Sequence, residues 1–75
     1  MRVETLTEAM FSLDEPWRGR FLDLVANLAT GEMWDGGRRP GREEVTAWLG
    51  TDYGLYQEMM VLVDAWRRPR VGRLP

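Results

Sequence analysis

At 75 residues the chain has room for one domain and one core. A domain that small buries only ~60% of the surface its unfolded form exposes, so it is expected to be marginally stable unless something braces it. With no Cys and no His, disulfides and a zinc centre are excluded and self-association remains as the available brace. The net charge of -2 divides into an acidic front, with seven acids against three Arg in residues 1–36, and a mildly basic rear, with five acids against seven Arg.

The first thirteen residues carry Arg2, Glu4 and Glu8 and lack the apolar run of a secretory signal. The longest apolar stretch, residues 59–63, is too short to cross a bilayer. A cytoplasmic protein with no membrane contact is expected. Thr5 and Glu8 have the spacing of a capping box, which predicts a first helix over 5–13 with Leu6, Met10 and Leu13 on one face.

A second helix is predicted over 15–30. Glu15 and Pro16 suit its first turn, and Trp17, Phe21, Leu24, Val25 and Leu28 follow the spacing of a core-facing stripe. Gly31 supplies a left-handed terminator. Residues 31–41 hold four glycines and a proline and read as an irregular loop, either functional or mobile.

Glu43 and Glu44 open a third helix over 42–49, with Val45, Trp48 and Leu49 on one face and Gly50 closing it. A fourth runs over 52–68, capped by Thr51 or Asp52 and carrying Leu55, Met59, Leu62, Val63 and Trp66 at stripe spacing. Tyr56 and Met60 add a second apolar strip, and Val61 with Ala65 widens it. A helix so broadly apolar is expected to be buried on more than one side, and a second copy of the chain could supply the extra cover. Pro69 stops the helix, leaving 69–75 as an expected flexible basic tail. The fold class is therefore all-α, a single-domain bundle of four helices.

Catalysis is the function class the composition argues against. His, Cys and Lys are absent, Ser12 is the lone serine, and the adjacent Glu43 and Glu44 diverge by about 100° on a helix. No cofactor is expected. A calcium loop counted from Asp35 would place Gly37, Arg39 and Gly41 where oxygen ligands are required, so no metal site is expected either.

Two readings remain. The leading one is a non-enzymatic protein-interaction module, an adaptor, inhibitor or assembly factor, homodimeric through Tyr56 and Met60. Met33 and Trp34 in the loop, with Arg38 and Arg39, form a second contact rich in the residue types found at interface centres. Trp34 fits a loop-pinning core contact equally well.

The alternative is a helix-turn-helix DNA-binding regulator over 42–68 with Gly50 as its turn glycine. Tyr53 and Gln57 would reach bases, and Arg67, Arg68, Arg70 and Arg73 would reach phosphates. Against it, the first two turns of that recognition helix hold no basic residue. All ten basic residues are Arg, a usage that fits GC-rich codons and thus a GC-rich bacterium or one of its phages.

Overall fold

A computed structural model describes residues 2–31 and 39–67. The loop expectation for 31–41, apart from its ends, and the tail expectation for 69–75 lie outside the described residues. Four helices follow in chain order: α1 (Val3–Phe11), α2 (Trp17–Thr30), α3 (Arg42–Thr51) and α4 (Tyr53–Arg67). Among the described residues there is no strand, as the all-α reading requires.

The first helix begins earlier than the Thr5–Glu8 spacing predicts. Its N-cap is Arg2, which offers no side-chain cap, and Thr5 already lies within the helix. The two extra residues let Val3 pack against the core and give the buried Thr7 hydroxyl an acceptor in the Val3 carbonyl, at 3.1 Å. Thr7 Oγ1 in turn accepts from Thr46 Oγ1 at 3.0 Å, joining α1 to α3. The helix ends at Phe11 rather than 13, but Leu13 is still buried.

At the start of α2, Pro16 occupies the N-cap and Glu15 does the capping: its Oε1 accepts from the Gly19 amide at 3.3 Å. Gly31 ends the helix with φ 76°, in the left-handed region, and its amide donates to the Asn27 carbonyl. Ahead of α3 the Gly41 amide donates to Glu44 Oε1 at 2.9 Å. This is the carboxylate half of a capping box, and Gly41 has no side chain to supply the other half.

The boundary between α3 and α4 also departs from expectation. Gly50 does not close α3, which continues to Thr51, and Asp52 alone separates it from α4. Asp52 takes an extended backbone, φ −134° and ψ 97°, and its Oδ1 accepts from the Leu55 amide at 3.0 Å. An aspartate that turns the chain and caps the next helix leaves no role for a turn glycine.

All four helices supply the core. Leu6, Ala9 and Met10 meet Leu22 and Val25, Val45 and Leu49, and Leu55, Met59 and Val63. On α2 the buried set is Gly19, Leu22, Val25 and Ala26, a rotation away from the stripe read in the sequence. Because α2 touches α1, α3 and α4, the side facing all three centres near Leu22. Trp17, Phe21 and Leu24 are half-buried, and Leu28 is 43% exposed.

Candidate functional site

Trp17 near the start of α2 packs against Trp66 near the end of α4, with ring centroids 4.4 Å apart, and Phe21 meets the same Trp66 edge-on. At the other end, Leu28 shares an open groove with Asp52, Gly54, Leu55 and Glu58 from the start of α4. The two helices therefore run antiparallel. Trp17, Phe21 and Leu28 line the seam from α2, and Leu55 and Trp66 line it from α4.

That seam is only partly closed. Leu28 is 43% exposed, Leu62 38% and Val61 60%. Leu62 lies one turn beyond Glu58 on the same flank of the helix, and Val61 and Ala65 continue outward from it. Large apolar side chains left in water side by side, rather than scattered singly, mark a contact surface more often than chance placement does. The charged margin is uneven. Arg20 lies over the Trp17 ring, 4.9 Å from its centroid, while Asp52 and Glu58 stand at the Leu28 end.

The residues singled out in the sequence are distributed differently. Tyr56 and Met60 are half-buried and pack against the core, so much of that second strip is taken up by the chain's own interior. Arg39 is exposed and its Nη1 donates to Glu15 Oε2. That hydrogen bond, then the one from the Gly19 amide, then the charges of Arg39 and Arg18 hold the Glu15 carboxyl below its ordinary pKa against an opposing effect of burial. Met33, Trp34 and Arg38 lie outside the described residues, as do Arg68, Arg70 and Arg73. Of the nucleic-acid set, Gln57 Nε2 donates to the Tyr53 hydroxyl, and Arg67 lines the grooves beside Leu13 and Trp66. The structure does not bring Arg39 together with Tyr56 or Met60 in any of these grooves.

Sequence patterning places Leu28 and Leu62 on core-facing stripes, whereas the structure leaves both partly in water. Both sit at correct stripe spacing, and spacing alone cannot say that two helices meeting edge to edge leave the outer members of each stripe uncovered. Their signal is the width of the stripes, which exceeds what one narrow contact needs.

Grooves elsewhere offer little convergent chemistry. The one between α1 and α4 is lined by Thr5, Glu8, Ala9, Ser12, Leu13 and Arg67, and its Ser12 hydroxyl donates to the Glu8 carbonyl at 2.7 Å. Among the described residues no three acidic side chains gather in a metal-binding cluster, and no helix is long and apolar enough to cross a membrane. Comparison with protein-family models, curated proteins and solved structures finds no match to the chain.

Proposed function

We propose that this chain is a non-enzymatic protein-binding module, of the adaptor, inhibitor or assembly-factor kind, and that its contact face is the α2–α4 seam. The observation that carries the reading is the exposure of Leu28, Val61 and Leu62 along one antiparallel helix pair. A chain with so small a core gains nothing in the folded monomer from leaving them in water. Trp17 and Arg20 at one end of the seam belong to the residue types that anchor interfaces.

The helix-turn-helix alternative draws less support. Asp52, Glu58 and the Tyr53–Gln57 hydrogen bond occupy the start of α4, where phosphate contacts would have to form. Arg42 Nε is 2.8 Å from Glu8 Oε2, and Arg39 is engaged by Glu15, so two of the rear's cations already face carboxylates.

Affinity capture from the native host with the wild-type chain and with Val61→Glu tests the proposal. A protein retained by the first and lost by the second is the expected result. Retention that Val61→Glu leaves unchanged would overturn the choice of face. A low-salt shift of duplex DNA that Val61→Glu leaves intact would favour the nucleic-acid reading instead.

A further inference from the structure

The geometry points to a second copy of this chain as the occupant of the α2–α4 seam, an inference that rests on the protein-binding reading above and names its partner. A contact between identical copies about a two-fold axis uses the same patch twice, so the patch must be complementary to itself. An apolar strip bounded by opposite charges at its two ends meets that condition, whereas a strip with one sign of charge throughout would repel its own image.

The seam has this form. At the Trp17–Trp66 end Arg20 lies over the indole, and Glu15, the acid next to that end, is engaged by Arg18 and Arg39. Asp14 and Arg67, both exposed there, are opposite in sign. At the Leu28 end the charged groups are Asp52 and Glu58. Between them run Leu28, Val61 and Leu62. A two-fold axis lying across the helices turns the second copy end for end. Each Arg20 then faces the acidic end of the other copy, and the exposed apolar side chains of both cover one another. Covering the strip also adds buried apolar area to a core that no disulfide or zinc site braces.

Sedimentation of the full chain from micromolar to millimolar concentration, with circular dichroism confirming that each variant stays helical, tests the inference. The wild type should approach a dimer. Leu28→Glu and Val61→Glu, at positions already exposed, should each weaken association by on the order of a hundredfold, because each would bury an unpaired carboxylate twice per dimer. Arg20→Glu and Glu58→Arg should each weaken it about tenfold, and the two together should restore it to within about threefold of wild type. A wild type that remains a monomer at millimolar concentration overturns the second copy as occupant. Val61-dependent capture of a host protein would then leave the protein-binding reading standing, and its absence would remove both. A dimer indifferent to Leu28→Glu and Val61→Glu also overturns the inference, by placing the contact on another face.

Discussion

Glycines in this chain are not equivalent, and their surroundings assign opposite signs to the same substitution. Gly50 lies inside α3 with open space where a Cβ would go, so Gly50→Ala should stabilise by about 0.5–1 kcal/mol through helix propensity. Gly31 also has open space, but its φ of 76° is costly for any residue with a Cβ, and Gly31→Ala should destabilise by about 1 kcal/mol. Urea midpoints of the two variants should move in opposite directions. Glu15 makes a different kind of contribution. Its carboxylate accepts from Arg39, Arg18 and the Gly19 amide, and the folded pKa lies below the ordinary value of 4.5. A depressed carboxylate contributes its stabilisation above the unfolded pKa and loses it as pH falls through the folded one. Unfolding midpoints should therefore decline with acidification below about 4.5 in the wild type, and Glu15→Gln should flatten that part of the profile.

Helix ends and faces raise the same question one level up. The junction of α3 and α4 depends on Asp52, whose carboxylate accepts from the amide of Leu55, the third residue of α4, while its backbone makes the turn. Asp52→Ala should cost about 1 kcal/mol, with Asp52→Asn retaining most of the stability, as measured by denaturant unfolding. Along α4 the stripe positions Met59 and Leu62 look alike in the sequence, yet Met59 is fully buried and Leu62 is 38% exposed. Met59→Ala should cost about 2–5 kcal/mol, and Leu62→Ala under about 1.5 kcal/mol in the monomer. If the two losses proved equal, the flank carrying Leu62 would be part of the core rather than a surface.

The small core makes these local terms matter for the chain as a whole. A loss of a few kcal/mol approaches the entire stability of a domain this size, so Met59→Ala should be largely unfolded at 37 °C by circular dichroism. Association through the α2–α4 seam would add stability that depends on protein concentration, since anything that binds the folded state alone shifts unfolding by mass action. The wild-type melting temperature should rise with concentration, and that of Val61→Glu should not. A concentration-independent wild-type melt would speak against self-association.

The four helices are legible in the order of residues alone. Gly31 as a left-handed terminator, Glu44 at the start of α3, a cap for α4 at Thr51 or Asp52 and the placement of Leu6, Met10, Val45, Leu49, Leu55, Met59 and Val63 in the core all follow from short-range rules, because capping and amphipathic spacing act within one or two turns. Boundaries are less legible. The Thr5–Glu8 box gives way to a helix starting at Val3, where a long-range contact and the Thr7 hydroxyl outweigh a local cap. The candidate site is legible only as excess, in the breadth of the apolar positions on α4. Which of those positions stay in water depends on the angles at which α2 and α4 approach each other and their neighbours. That packing draws Tyr56 and Met60 toward the core and leaves Leu28, Val61 and Leu62 outside it. Periodicity specifies a stripe, but the number and arrangement of neighbouring helices set how much of the stripe is covered.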